Sequence, residues 1–366
     1  MKSTTVGDRY ASIPEAIDRR ARRATQLLLM APIAFVLANL VFLLCHRLIP
    51  FGTMVHIAYD TNTLAIPVLM LLSGSVAFRL ASPSSKKPRR YSLTWIVLAL
   101  LLVAVRIYAT HIEPHNLKIR HVTLMTEKID RPFTLLHITD IQSAAIGSYE
   151  EKVFAKIREL NPDLIVHTGD LLQPVAPATY QTELPKLAAL FQTLNPPLGM
   201  YMVEGDTTGP LLPYGPEKMG GIAYLRNEEA LIHAEGINLR LYGLTVRSSS
   251  EKTRAREGIQ RWLNIDQAAL NIVMGHRPDY ILKVNDFPID LCLAGHTHGG
   301  QIRIPFFGPL VIFSTIPRDW ARGYRTVGNT GLNVSAGIGA EHHRGLPSIR
   351  LNCPPEMTLI HFLPKS

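Results

Sequence analysis

The pattern of apolar and polar positions changes near residue 110. Before it, apolar residues come in long unbroken runs; after it they come in short runs separated by turns or by amphipathic stretches. Three long runs stand out. Gln26–Cys45 contains LLLMAPIAFVLANLVFLLC, with no charge in it. Leu64–Leu80 reads LAIPVLMLLSGSVAFRL and reaches spanning length when Met54–Thr63 adds its apolar residues; Leu93–Ala109 reads LTWIVLALLLVAVRIYA. A crossing takes about 20 predominantly apolar residues, so the pattern predicts about three transmembrane helices within residues 1–110. Arg79 and Arg106 lie near segment ends and are expected to snorkel to the headgroups, and Asp60 is expected in a solvated loop. A first segment this long, followed by two more, argues against a cleaved signal peptide.

Beyond an expected linker at 111–130, the texture is that of a layered domain over 131–366. Phe133–Thr139, Leu164–His167, Met200–Val203, Leu239–Leu244, Asn271–Met274, Asp290–Ala294 and Thr358–Phe362 read as buried strands. Glu150–Leu160 and Glu183–Leu194 read as helices. Alternating buried strands and helices predict an α/β or α+β layered fold.

Charge sharpens this division. The formal net charge is +9, and residues 1–110 hold all of it, 13 Lys/Arg against 4 Asp/Glu, whereas 111–366 hold 25 against 25. The soluble part therefore offers no basic stripe for a nucleic acid. The clusters RRARR (Arg19–Arg23) and KKPRR (Lys86–Arg90) read as topology signals that belong on the cytoplasmic side. Three crossings then place residues beyond about 110 outside the cytoplasm. If the third segment lies flat, that part stays inside. Cys45, Cys292 and Cys353 are too scattered for a disulfide framework, and the first two read as small buried hydrophobes.

The chemistry collects where strands end. The runs stop at Thr139-Asp140-Ile141-Gln142, Gly169-Asp170, Gly205-Asp206, Gly275-His276 and Gly295-His296-Thr297-His298-Gly299-Gly300. Ligand sites of open α/β sheets form at the carboxyl ends of strands, where loops converge. Carboxylates and imidazoles delivered together suit divalent metals such as Mn²⁺, Fe²⁺ or Zn²⁺. His137 and His167, inside apolar runs, read as satisfied core residues. His342, His343 and Arg344 sit in a Gly-rich loop, open to substrate phosphate or to solvent alike. Ser248–Ser250 before Glu251 reads as a helix start.

This ordered set resembles the calcineurin-like metallophosphoesterases over essentially all of 130–366, most of all a bacterial membrane-associated branch with the block GHTHGGQ, intact here at Gly295–Gln301. LRNE (Leu225–Glu228), LYGL (Leu241–Leu244) and CPPEMTLI (Cys353–Ile360) add to the likeness. The resemblance implies a four-layer α/β/β/α sandwich and two divalent metal ions. It assigns Asp140 and His298 to the first metal, Asp170 to a bridge, and His276 and His296 to the second. It also implies a metal-bridging hydroxide as nucleophile. Three positions depart from the family pattern. Gln142 stands for a histidine and offers a carbonyl oxygen; Asp206 stands for an asparagine and adds a charge; Thr207 stands for a histidine held to protonate the leaving oxygen. The ligand set becomes harder, favouring Mn²⁺ or Mg²⁺ over Zn²⁺. A phosphorylated, lipid-linked substrate at a bacterial inner membrane is the leading expectation. UDP-2,3-diacylglucosamine pyrophosphohydrolase activity, or a metal-holding but impaired protein, are the alternatives.

Overall fold

The computed structural model describes residues 23–24, 26–38, 60–80, 86–207, 221–263, 268–309, 311–341 and 348–365. The chain divides into two compact units, Met1–Tyr108 and Ala109–Ser366.

In the first unit, the described part of the first apolar run is a short helix, α1 (Gln26–Ala38); the rest of that run, with Cys45, lies outside the described residues. Helices α2 (Ile66–Leu80) and α3 (Lys86–Ile107) follow. Two helical stretches, Thr63–Leu80 and Arg89–His115, are long and apolar enough to cross a membrane, where three were expected. Ile66 and Met70 pack against Ala99, and Gly74 lets the backbone at Ser92 approach closely, since a Cβ there would lie 2.9 Å from the Ser92 carbonyl oxygen. Arg106 and Asp60, expected as separate charges, meet in this unit. Asp60 is helical, and the two form an ion pair at 3.3 Å, because opposite charges on apolar helices neutralise each other at less cost than either bears alone.

The second unit is a mixed α/β fold. Its strands are β1 (Lys118–Thr126), β2 (Phe133–Ile138), β3 (Leu164–His167), β4 (Met200–Met202), β5 (Ala223–Tyr224), β6 (Glu228–Ala234), β7 (Ile237–Gly243), β8 (Leu270–Met274), β9 (Leu291–Ala294), β10 (Arg303–Ile304), β11 (Gly308–Pro309), β12 (Gly323–Val327), β13 (Thr330–Val334) and β14 (Glu356–Pro364). One six-stranded sheet runs β1-β14-β2-β3-β4-β5; a second runs β12-β13-β9-β8-β7-β6; β10 and β11 form a small hairpin. Strands β2, β3 and β4 are mutually parallel, as are β7, β8, β9 and β13, so their carboxyl ends lie along one edge of each sheet.

Three apolar clusters explain why those strands read as continuous apolar runs. Leu135, Leu164 and Val166 of the first sheet join Leu239, Leu241, Leu270, Ile272, Leu291 and Leu293 of the second in one core. The alternate residues Leu136, Ile138 and Ile165 pack with α4 (Ser148–Leu160) and α5 (Tyr180–Gln192) through Phe154, Ile157, Leu187 and Phe191. On the second sheet, Val273, Cys292, Ala294 and Val334 pack with Ala255, Ile259 and Trp262 of α7 (Lys252–Leu263). Both faces of each central strand are thus covered. Cys292 and Cys353 are buried free thiols. The short helix α6 (Val246–Ser250) is capped by Thr245, whose hydroxyl accepts from the Ser248 N–H, so the helix starts earlier than Ser248–Ser250 suggested.

Residues 111–130, expected as a linker, carry structure. Buried Glu113 accepts from the Asn352 and Cys353 N–H groups, and β1 pairs parallel with β14 along its whole length. Its half-buried alternation at a sheet edge is weaker than the signal of the central strands, and so escapes a reading built on apolar runs.

Candidate metal centre

The loops after β2, β3, β4, β8 and β9 converge, and those after β2, β3 and β9 arrive by an unusual backbone. Asp140 (φ 46°), Gln142 (42°), Asp170 (59°), His296 (65°) and His298 (47°) all occupy the left-handed region. Residues other than glycine rarely stay there, at about 1–3 kcal/mol each, unless their surroundings over-determine the conformation. Here the loops lock one another. The Asp140 N–H donates to the Gly169 carbonyl at 2.9 Å, Gln142 N–H to Asp170 at 3.0 Å, and Gly339 N–H to Asp140 at 2.7 Å. The His296 N–H donates to the Asp140 carboxylate at 3.1 Å. Gly205 and Gly295 leave no room for a side chain: a Cβ at the first would strike Asp170, and at the second Thr139 and Asp140.

The side chains form two groups with His276 in common. The first group is Asp140, Asp170 and His276, all buried; the second is Asp206, His276 and His296, of which Asp206 is exposed and His296 half-buried; within each group the ligating atoms fall within 4.8 Å of one another. His276 Nε2 is 3.3 Å from Asp170 Oδ2 and 3.6 Å from Asp206 Oδ2, and His296 Nδ1 is 2.9 Å from Asp206 Oδ2. His298 Nε2 is 3.7 Å from Asp140 Oδ1, while its Nδ1 is buried without a hydrogen-bond partner. The resemblance gives the shared position to Asp170; in the side-chain geometry it is His276 that belongs to both groups.

Gln142 contributes in a way its sequence position left open. Its amide nitrogen donates to Glu341 Oε2 at 2.9 Å, which turns Oε1 away, buried and unpartnered. Glu341 in turn accepts from Gln173 Nε2 at 3.0 Å, and its N–H donates to Gln301 Oε1 at 2.9 Å. An unpaired buried acceptor ordinarily costs 1–3 kcal/mol. A cation would satisfy it.

Electrostatics separates the roles. Burial pushes the Asp140 carboxyl up to about 6, against the pull of His276. Burial also opposes ionisation of Asp170, but the charge of His276, a hydrogen bond with it and one from the Thr207 N–H bring it down to about 2. Asp206 is likewise desolvated, yet hydrogen bonds from His276 and His296 hold it well below the usual carboxylate range. For His276, burial disfavours the imidazolium, and Asp170 and Asp206 overcome it, raising this group well above its ordinary value. His298 goes the other way: burial, reinforced by the Arg350 charge, keeps it neutral and so ready to ligate.

Several contributors have no motif to announce them. Arg277 clasps Asp206 with Nη2 at 3.0 and 2.9 Å, neutralising the charge that departs from the family pattern; its only sequence signal is its place directly after His276. Thr207 caps Asp170, N–H at 2.8 Å and hydroxyl at 3.2 Å. The Phe313 carbonyl pairs with His296 Nε2 at 2.8 Å, and the Thr168 carbonyl with His276 Nδ1 at 2.9 Å. Buried Arg350 donates to the carbonyls of Ala336, Gly339 and Cys353, fixing the loop that closes over Asp140. His342, His343 and Arg344 lie outside the described residues.

A chain with these features belongs to the calcineurin-like metallophosphoesterases, a family whose members hold two divalent metals, and it is a hydrolase of phosphoester bonds. The calcineurin-like phosphoesterase family matches residues 133–300. An uncharacterized metallophosphoesterase of Bacillus subtilis, YkuE, is 30% identical over 266 residues, covering 69% of this chain and 87% of that relative. The UDP-2,3-diacylglucosamine pyrophosphatase LpxG of Chlamydia trachomatis is 24% identical, covering 74% and 96%. The phosphodiesterase YaeI of Escherichia coli is 34% identical over 93 residues, 25% of this chain and 32% of YaeI.

His137 and His167 stay apart from the ligands as core residues. His137 pairs with Thr168 Oγ at 2.9 Å and with Asn333 Nδ2 at 2.8 Å; His167 Nδ1 accepts from the Gly169 N–H at 3.1 Å. Burial lowers both to about 3, from 6.5. A depressed folded value means the unfolded chain takes the proton first. Their stabilisation is therefore complete above about pH 6.5 and is lost as pH falls toward 3, at up to about 1.4 kcal/mol per pH unit for each. Thermal melts of the full-length protein in detergent between pH 8 and 5 should show the decline. His167→Asn, which keeps an acceptor for Gly169, should make it shallower; an unchanged slope would remove His167 from the account.

Proposed function

We propose that the protein hydrolyses a phosphoester or pyrophosphate bond in a membrane-associated, lipid-linked substrate, with two divalent metal ions held by Asp140, Gln142, Asp170, Asp206, His276, His296 and His298. The observation that carries this reading is the unpartnered Oε1 of Gln142 beside a buried set of carboxylates and imidazoles. Such a donor set fits two divalent cations and suits Mn²⁺ or Mg²⁺ better than Zn²⁺, because oxygen replaces one imidazole. Residues 131–366 form the catalytic domain in this reading, and 1–110 the anchor. A four-layer α/β/β/α sandwich accords with the three apolar clusters.

When bound, the metals supply Lewis acidity at the phosphoryl oxygens and a nucleophile at neutral pH. The chain's own residues hold and shape. Asp140, Gln142 and His298 would hold one metal and His276, His296 and Asp206 the other, with Asp170 assigned to both by the resemblance. Arg277 shares the charge of Asp206 and tempers the negative potential that would repel a phosphate. Thr207 is committed to Asp170 and delivers no proton to a leaving oxygen. General acid catalysis is worth about 10²–10⁴-fold, most for basic leaving groups, so the site suits a pyrophosphate or activated diester.

The two apolar helices and the likeness to a UDP-2,3-diacylglucosamine pyrophosphatase support a lipid-linked substrate. The basic clusters support a multi-pass protein of a bacterial inner membrane with its catalytic domain outside the cytoplasm. The likeness to LpxG favours a second reading, the same reaction class on that nucleotide-linked lipid at the cytoplasmic face. A reporter fused after Ser366 should be active only outside the cytoplasm; cytoplasmic activity would select the second reading.

Metal content tests the assignment directly. Elemental analysis should find up to two divalent ions in the purified protein and neither in Asp170→Ala; full occupancy in that variant would overturn the role of Asp170. The altered positions are tested by leaving group. The protein should cleave aryl phosphodiesters or pyrophosphates well and alkyl phosphomonoesters poorly. Gln142→His and Thr207→His should help mainly the poor leaving groups. A uniform gain of about tenfold in kcat/KM on every substrate, about 1.4 kcal/mol, would show an impaired enzyme instead.

A further inference from the structure

Immediately after the loop bearing His296 and His298, the chain turns through the hairpin β10–β11, Arg303 paired with Pro309 and Ile304 with Gly308. Its tip is Ile304-Pro305-Phe306-Phe307, four consecutive apolar residues, all exposed. Phe306 is fully exposed and Phe307 is 61% exposed; Val311 and Phe313 (59%) continue the patch. Single exposed apolar residues are ordinary, but a contiguous set marks an interaction surface. Each such phenylalanine forgoes the gain of burying its ring.

The tip is held out. The Arg303 N–H donates to the Leu351 carbonyl at 2.9 Å and its Nη1 to Gly299 at 2.8 Å; the Phe307 N–H closes the turn on Ile304 at 3.2 Å. Phe306 takes φ 67°, a conformation that bulky residues avoid. The patch is also continuous with the metal centre, since the exposed Phe313 is the residue whose carbonyl pairs with His296.

Charge decides what the patch meets. Residues 301–325 hold four arginines and one acid, Asp319. Arg322 pairs with Glu356 and Arg325 with Asp319, while Arg303 and Arg318 have no carboxylate partner among the described residues. The Arg318 guanidinium lies 5.6 Å from the centre of the Phe307 ring. Aromatic rings beside arginines without a carboxylate partner match the interface of an anionic bilayer, where rings sit at headgroup depth and basic side chains are drawn to the lipid phosphates. A protein partner would instead need pockets for these rings and roughly 800 Å² of matched surface on each side.

We propose that the β10–β11 hairpin docks on an anionic lipid bilayer, Phe306 and Phe307 entering the headgroup region while Arg303 and Arg318 meet lipid phosphates, which holds the rim of the metal centre at the membrane surface. The lipid-linked substrate rests on the reading above; the membrane contact does not.

The test uses full-length protein in nanodiscs containing phosphatidylglycerol, with Cys45→Ser so that only introduced cysteines react, the remaining two being buried. Nitroxide labels at Phe306→Cys and Phe307→Cys should collide several times more with lipid-soluble oxygen than with an aqueous nickel complex. A label at Leu231→Cys, exposed elsewhere on the same unit, should show the reverse. Neutral lipid, or Arg318→Glu, should return the hairpin labels toward the aqueous pattern. Aqueous accessibility equal to that at Leu231 would overturn the proposal, and so would spin–spin broadening, which would mean a second copy covers the patch. Lipid exposure of the labels in a protein inactive on every lipid-linked phosphate would keep the docking surface and discard the substrate reading.

Discussion

Gathering three carboxylates in a mostly buried pocket is the constraint around which this domain is arranged. Like charges at that spacing cannot all ionise without compensation, and the surroundings supply it by position. His276 stands in both groups, Arg277 takes the outer carboxylate, and Thr207 caps Asp170. His298 is held neutral by burial beside Arg350. Without a cation the acids coexist because His276 and Arg277 compensate them; a bound cation would take over that compensation and leave His276 neutral, with one amide oxygen already unpaired.

That arrangement explains the strained loops and the residues that depart from the family. Five of the seven expected ligands sit at positive φ, and each loop is pinned by hydrogen bonds from the next, so strain at one is borne by all. The departures that the resemblance implies form a set. Asp206 brings a charge and Arg277 meets it; Thr207, where a histidine was expected, secures Asp170; Gln142, where a histidine was expected, is oriented by Glu341 and presents an oxygen. Each loss is matched by a contact whose partner lies far away in the chain.

Much of this could be read from the chain directly. The seven strands and two helices read from apolar periodicity are present with boundaries shifted by up to three residues, while β6, β12 and β13 were not read; Leu164–His167 appears unchanged as β3. The ligand candidates were legible because their local signal is a polar residue at a strand end, beside glycine for Asp170, Asp206, His276, His296 and His298, where the backbone must turn tightly. The long apolar runs marked the N-terminal part, although the described residues support two membrane-length helices where the pattern suggested three.

What escaped the sequence depends on distance along the chain. Edge strand β1 is stabilised by β14, some 240 positions away, and its own half-buried alternation is too weak to announce it. Asp60 and Arg106 looked like separate surface charges because no periodicity couples them. Arg277, Glu341, Arg350 and the Phe313 carbonyl matter through partners on other loops, and an arginine or glutamate in isolation resembles any solvated one. Local propensity and burial period are properties of neighbouring residues, so the chain alone determined the elements and the candidate ligands. Charge compensation and the orientation of an amide are set by what folding brings within 3 Å, and those the tertiary structure alone decided.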